Sequence, residues 1–479
     1  MTQPVKTPEW VKDAIFYQIF PDRFAQSDRV VKPSNLEPWD TPPTPHGFKG
    51  GDLLGVVEHL DYLEELGITT IYFNPIFQSA SNHRYHTHDY YHVDPLLGGN
   101  DALRELIDAA HARGIKIVLD GVFNHASRGF FQFNHILECG EQSPYIDWFT
   151  IKGFPLNAFD HSQKPNYDAW VGLHALPELN TANPQVREFI FDVAEHWIKL
   201  GIDGWRLDVP YEIDDDAFWQ AFRSRVKAAN PEAYIVGEIW HESQRWLQGD
   251  QFDAVMNYIQ TRAAISFFGA KSVAPLWPGG GFPPLSPLTA QEFAEAIEAM
   301  LALYDWEITT AQMNLLSSHD TPRFVNMVQG DTSALKLAML FQMTMPGVPT
   351  VYYGDEIGLT GGYDPGSRGA IPWDRARWDM DLFDYVRASI RLRKEHPALR
   401  RGTYNTLLAD GELYAFERVY DNERLVVAFN TADKPMTFKA PLDHGGGTRV
   451  VFGDAQSSLA NGTLTITTLP RSGIVIALD

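Results

Sequence analysis

Four short segments of this chain share one form, an apolar run suited to burial on both faces that ends in polar groups. DGVFNH (120–125) carries Asp120, Asn124 and His125; GWRLDVP (204–210) carries Arg206 and Asp208; YIVGEIW (234–240) carries Glu238; NLLSSHD (314–320) carries His319 and Asp320. Carboxylates gathered at one place, one of them holding a proton, are what cleavage of a glycosidic bond requires. Arg206 lies two residues before Asp208, and residues two apart on a strand share a face, so the guanidinium is expected to keep Asp208 ionised and nucleophilic. Glu238 ends an apolar run, where desolvation raises a carboxyl pKa and holds a proton for donation. Taken alone, each group has a plainer role, since a strand-end acid is more often a helix cap or an ion-pair partner. Coincidence at four strand ends turns the reading towards catalysis, because a parallel barrel brings such ends to one rim.

The elements that must position these groups alternate between strand-like and helix-like patterns from about residue 14, the signature of a parallel sheet with crossover helices. Eight strands are expected: AIFYQIF (14–20), TTIYFNP (69–75), IKIVLDG (115–121), GWRLDV (204–209), AYIVGEI (233–239), FDAVMNY (252–258), NLLSSHD (314–320) and TVYYGDE (350–356). Helical periodicity in GVVEHLDYLEELG and DALRELIDAAHARG separates the first three. The expected fold class is α/β: a (β/α)8 TIM barrel with an inserted subdomain after its third strand and a C-terminal antiparallel β-sandwich domain. Residues 1–125 and 176–396 are assigned to the barrel. Residues 126–175, rich in aromatics, His, Pro and Asn and too long for one helix, are assigned to the insertion beside the active rim. Residues 397–479 alternate strands and turns around the Gly-rich HGGGT (444–448) and are assigned to the C-terminal domain.

Composition narrows the function classes. With 44% hydrophobic and 21% charged residues the 479-residue chain is an ordinary folded protein. Its net charge of −22 repels nucleic-acid backbones and anionic membrane surfaces, so neither is an expected partner. Cys139 is the one cysteine, which excludes an intrachain disulfide, and no HExxH or CxxC spacing points to a catalytic metal. MTQPVKTPEWVKDA lacks the apolar core of a secretory signal, and no run reaches membrane-spanning length, giving the expectation of a cytoplasmic protein.

In order and spacing, DGVFNH, GWRLDVP, GEIW and SSHD resemble the four best-known motifs of the α-amylase family, glycoside hydrolase family 13. YFNPIF (72–77), LPELN (176–180) and MPGVPTVYYGDE (345–356) resemble further regions, so the likeness covers nearly the whole chain. The resemblance implies a retaining hydrolase with Asp208 as nucleophile, Glu238 as general acid/base and Asp320 as the group that grips sugar hydroxyls in the transition state. It implies that Asp120, His125, Arg206 and His319 hold the sugar undergoing cleavage and that Tyr85, in HRYHTHDYY, stacks on it. A separation of about 5–5.5 Å between the nucleophile and acid/base carboxyls is the matching geometry.

LPELN, Glu212 four residues past Asp208, and Trp240 in GEIWH resemble the cyclomaltodextrinase, neopullulanase and maltogenic amylase branch. By that resemblance Trp240 is an apolar plate for leaving-side sugars, Phe130 and Phe131 flank the same side, and Asp364 and Arg368 bind the second sugar on the non-reducing side. The chain departs from the branch in opening directly on PEWVKDAIFYQIFPDRF, where relatives usually carry an extra N-terminal β domain that mediates dimerisation, so no oligomeric state is assigned. It departs again in RFAQSDRVVK, where a calcium loop is usual: Asp28 and Asp52 remain, but Lys32 falls where a carboxylate is expected, and an ammonium can stand in for the ion's charge. No cofactor and no bound calcium are therefore expected. The reading is an α-glucan hydrolase acting on α-1,4 bonds of maltooligosaccharides or cyclodextrins. Its alternatives are a glucan transferase or isomerase on the same scaffold, and, from another class, a non-catalytic glucan-binding relative.

Overall fold

The computed structural model describes residues 5–273, 282, 285–442, 444 and 446–478, so Gly445 of the HGGGT turn lies outside the described residues. Eight parallel strands form one sheet: β1 Phe16–Ile19, β2 Thr70–Phe73, β3 Lys116–Gly121, β4 Gly204–Leu207, β5 Tyr234–Gly237, β6 Ala254–Val255, β7 Met313–Leu315 and β8 Val348–Tyr352. Their order is β6-β5-β4-β3-β2-β1-β8-β7, and a parallel bridge from Met256 to Met313 joins the two ends, closing the expected barrel. The strands form here because their residues are apolar on both faces: every residue of β1, β2, β4, β5 and β8 is buried, between the barrel interior and the surrounding helices. Gly204 is required at the foot of β4, since a Cβ there meets the Tyr234 carbonyl oxygen at 2.4 Å.

Two strands are shorter than the sequence reading. FDAVMNY yields a ladder of only Ala254–Val255, because Asn257 caps the following helix, its side chain accepting from the Gln260 N–H. NLLSSHD leaves the ladder at Leu315, where side chains offer the backbone other partners: the Ser318 N–H donates to Thr321 Oγ1 and the Asp320 N–H to Ser318 Oγ. Asp320 therefore sits on a loop five residues past β7 rather than at its end.

Between β3 and β4 the chain forms the helix Phe131–Cys139 and short bridges, Phe149 to Leu179, Ile151 to Tyr167 and Ala169 to Pro177, that fold this segment back onto itself. A further bridge, His125 to Glu178, ties it to the end of β3. Phe130 is buried against Tyr90, Trp148 and Phe189, whereas Phe131 is exposed beside His135 and Tyr145. The C-terminal domain pairs a five-stranded antiparallel sheet with a three-stranded one. Period-two alternation divides the larger sheet: Val426, Ala428, Ile474 and Ile476 face the small sheet's Phe438, Leu464 and Ile466, while Leu425, Val427, Phe429 and Val475 join the barrel's core.

Candidate active site

The third to fifth strands set the centre of the site. Asp120 on β3 and Arg206 on β4 are register partners, so both side chains enter the barrel at one level. Arg206 is fully buried and serves three carboxylates: Nη1 lies 2.9 and 3.0 Å from the two Asp120 oxygens and 3.1 Å from Asp208 Oδ1, and Nη2 lies 3.0 Å from Glu238 Oε2. Asp208 and Glu238 directly follow β4 and β5 and extend the ladder by one step, the Asp208 N–H donating to Gly121 O and the Glu238 N–H to Leu207 O. Just past Asp208, Val209 takes φ 35° and ψ 50°, a left-handed conformation strained for a β-branched residue, and its N–H donates to Glu238 Oε2 at 3.1 Å. Strain stored beside the reacting groups thus aims an amide at one of them.

This geometry changes the electrostatic expectation. Arg206 does not single out Asp208, because one guanidinium is divided among Asp120, Asp208 and Glu238. Burial pushes Asp208 well above its ordinary value, with Arg206 opposing and Glu238, Asp120 and Asp320 adding to the push. Burial also raises Glu238, again opposed by Arg206 and reinforced by Asp320. The acids accordingly titrate as an interacting set that retains protons, which belong to the cluster rather than to one member.

A second layer closes over this centre. The Tyr85 hydroxyl lies 2.9 Å from Asp120 Oδ2 and 2.7 Å from His319 Nε2, and its ring lies nearly parallel to His319, 7° between planes. Gln18 of β1 joins His319 Nδ1 at 2.9 Å to Asn74, whose amide reaches the Tyr85 hydroxyl. Burial holds the His319 pKa well below its ordinary value, with the nearby Arg368 and Arg206 pushing the same way, and burial takes His125 down to about 3, so both rings are neutral. His125 packs against Trp170, and its buried Nε2 makes no hydrogen bond among the described residues, leaving it available to a ligand hydroxyl.

Asp320 and Arg368 complete the rim. His319 Nε2 lies 3.0 Å from Asp320 Oδ2; Arg368 Nη2 donates to Asp320 Oδ1 at 3.4 Å, its Nε to the His319 carbonyl at 3.0 Å, and its Nη1 pairs with Asp364 at 3.1 Å. Tyr85, His125, Asp208, Glu238, His319, Asp320, Asp364 and Arg368 thereby line one cavity of about 470 Å³. Asp120 and Arg206 form its floor through their bonds to Tyr85 and the two acids. Trp240 is placed differently: one ring face is covered by Tyr258, centroids 3.7 Å apart and planes 7° apart, and its Nε1 donates to Glu238 Oε1 at 3.2 Å.

Sequence reasoning missed His83, His86, Trp170, Leu173 and Tyr211, which also line the cavity, and Gln18 and Asn74, which fix His319. The last two had a signal, as polar residues inside the buried runs FYQIF and YFNP. Trp170 and Leu173 had none, because nothing in an aromatic-rich loop states which ring meets the barrel mouth. The arrangement as a whole presents neutral imidazoles, shared carboxylates and aromatic rings, a lining suited to a neutral polyhydroxyl ligand whose bond is broken between two acids.

The family described as alpha amylase, catalytic domain, matches residues 18–377. The chain is 42% identical over 475 residues to a cyclomaltodextrinase of Geobacillus thermopakistaniensis, spanning 98% of this chain and 78% of that one. It is 44% identical over 446 residues to neopullulanase 2 of Thermoactinomyces vulgaris, spanning 92% of this chain and 73% of the relative. Among solved structures, the debranching enzyme of Nostoc punctiforme superposes with a TM-score of 0.92 at 48% identity, covering 99% of this chain and all of that one. With this barrel, these acids and these relatives, the chain belongs to the α-amylase family of glycoside hydrolases.

Proposed function

We propose that this protein is a retaining α-glucan hydrolase that cleaves α-1,4 bonds of maltooligosaccharides and cyclodextrins, with α-1,6 bonds and transfer to sugar acceptors as secondary activities. The observation that carries the reading is the pair of buried carboxyls, Asp208 and Glu238, held by the single Arg206 at the floor of one cavity with Asp320 on its rim. Asp208 attacks the anomeric carbon as Glu238 passes its proton to the departing glycosidic oxygen, which takes the bonding electron pair. Glu238, now ionised, removes a proton from water, and the water displaces Asp208 with net retention. Asp320, anchored by His319 and Arg368, and the free Nε2 of His125 hold sugar hydroxyls, while Tyr85 and Trp170 offer ring faces. Asp364 and Arg368 bind the next sugar on the non-reducing side. The names of the relatives, cyclomaltodextrinase, neopullulanase and debranching enzyme, support the substrate class. Proton NMR during digestion of maltotriose and β-cyclodextrin tests the reading: the first product is expected as the α-anomer. A first-formed β-anomer overturns retention, and elongated oligosaccharides as main products overturn hydrolysis in favour of transfer.

The residues at the position of the usual calcium loop do not fit a calcium ion. Asp52 accepts from the Gly55 and Ser27 N–H groups and pairs with Lys32 Nζ at 2.8 Å, and the same ammonium bonds Leu96 O at 2.9 Å, while Asp28 is exposed. An ammonium fixed among those oxygens supports a loop held without metal. A chelator is expected to leave the melting temperature within about 1 °C. A chelator-induced fall of several degrees, reversed by added calcium, would sink this part of the proposal.

A further inference from the structure

We propose that Trp240 is a positioning residue for Glu238: its indole N–H holds Oε1 of that carboxyl, and Tyr258 holds the indole. The inference rests on Glu238 as the proton donor and goes beyond a sugar-platform role, because it concerns the ring nitrogen rather than the ring face. The Glu238 carboxyl is held at both oxygens, Oε2 by the Val209 N–H at 3.1 Å and Arg206 at 3.0 Å, Oε1 by Trp240 Nε1 at 3.2 Å. Trp240 cannot easily turn away. It lies flat on Tyr258 at 3.7 Å with Phe282 at 5.2 Å, and Tyr258 is itself anchored through its hydroxyl to Ser318 Oγ at 3.1 Å.

Ser318 Oγ also accepts the Asp320 N–H at 3.2 Å, so the stacked pair connects the acid/base to the loop carrying the third carboxylate. As Glu238 gives up its proton it gains negative charge, and a neutral N–H···O bond becomes charge-assisted and stronger. The indole therefore contributes most where proton transfer is advanced, and again while Glu238 waits as the base for water. Burial raises the Glu238 pKa, and the charge of Arg206 and the hydrogen bonds from Val209 and Trp240 oppose that rise.

Trp240→Phe keeps an aromatic face against Tyr258 and any sugar while removing the N–H. On maltotriose it is expected to lower kcat/KM by about tenfold, the scale of one hydrogen bond to a charged group, with KM within about twofold. The alkaline limb of the kcat/KM profile moves to higher pH, because the ionised form of Glu238 loses a donor. On α-maltosyl fluoride, whose leaving group needs no proton, the loss is expected to be about twofold or less. Benzothienylalanine at position 240, which replaces N–H by sulfur and preserves the bicyclic ring, is expected to reproduce all three effects and guards against a packing artefact. An unmoved pH limb with equal losses on both substrates, or a change confined to KM, overturns the inference. Glu238→Gln with wild-type turnover overturns instead the reading on which it rests.

Discussion

Asp208→Asn is expected to lower kcat on both maltotriose and α-maltosyl fluoride by roughly 10⁴-fold, since no carboxylate remains to form the covalent bond whatever the leaving group. Glu238→Gln is expected to lower kcat on maltotriose by about 10²–10⁴-fold, the range of general acid catalysis. The two differ on the fluoride: the Glu238 variant still forms the glycosyl-enzyme, which then accumulates for want of a base, and azide, an anion needing no deprotonation, restores turnover as a glycosyl azide. Mass spectrometry of the intact variant during turnover reads the covalent adduct directly. Absence of an adduct in Glu238→Gln, or an adduct in Asp208→Asn, would exchange or cancel the assigned roles.

Both substitutions are also expected to leave the fold at least as stable as before. Asp120, Asp208 and Glu238 crowd one buried guanidinium, and burial raises both Asp208 and Glu238, so exchanging either of these two acids for its uncharged amide relieves that crowding while Arg206 stays paired. A melting temperature equal to or above that of the unaltered protein, together with lost activity, is the signature of acids placed for chemistry at the expense of stability. A large fall in melting temperature for Glu238→Gln points to a structural ion pair.

The barrel was legible because its strands are buried on both faces, which gives short runs rich in β-branched and aromatic residues, such as TIYF and YIVG. The three acids were legible because each follows such a run. What escaped was set by side chains competing with the ladder: Asn257 turned the end of FDAVMNY into a helix cap, and Ser318 with Thr321 turned SSHD into a loop. Charge sharing at Arg206 escaped for another reason. Local spacing shows Asp208 two residues away but cannot show Asp120 and Glu238 arriving from neighbouring strands. Tyr258, now the seat of Trp240, looked like the last residue of a strand. The aromatic wall from residues 126–175 escaped altogether, since Trp170 meets His125 only through a turn in which Val171 takes φ 45°.

The remaining large effect lies away from the site, where the barrel meets the C-terminal domain. Arg393 and Arg418 are both fully buried, and every hydrogen bond they make among the described residues goes to a main-chain carbonyl. Arg393 takes the oxygens of Met343, Met345, Gly347 and Leu399; Arg418 takes those of Thr344, Leu399, Gly402 and Thr403. Met343 and Thr344 end the helix Thr332–Thr344, whose last-turn carbonyls have no partners of their own and carry the negative end of its dipole. Two guanidiniums so close repel, and burial opposes the charge of both, so the carbonyls must outweigh these costs. Arg393→Met keeps much of the buried volume but strands three carbonyls and leaves Leu399 O to Arg418 alone. The expected cost is about 3–5 kcal/mol, which for a chain of 479 residues corresponds to a melting temperature lower by about 4 °C. Arg391→Met, on the exposed face of the helix Met380–Glu395 that carries Arg393, is expected to change stability by no more than about 0.5 kcal/mol. Arg393→Met combined with Arg418→Met should cost more than the two single losses added, because each single variant relieves the repulsion and leaves Leu399 O to the other cation, whereas the double variant gains that relief once and strands Leu399 O. Urea unfolding followed by far-UV circular dichroism decides the matter: if Arg393→Met unfolds at the unaltered midpoint, the carbonyl cage does not hold this junction.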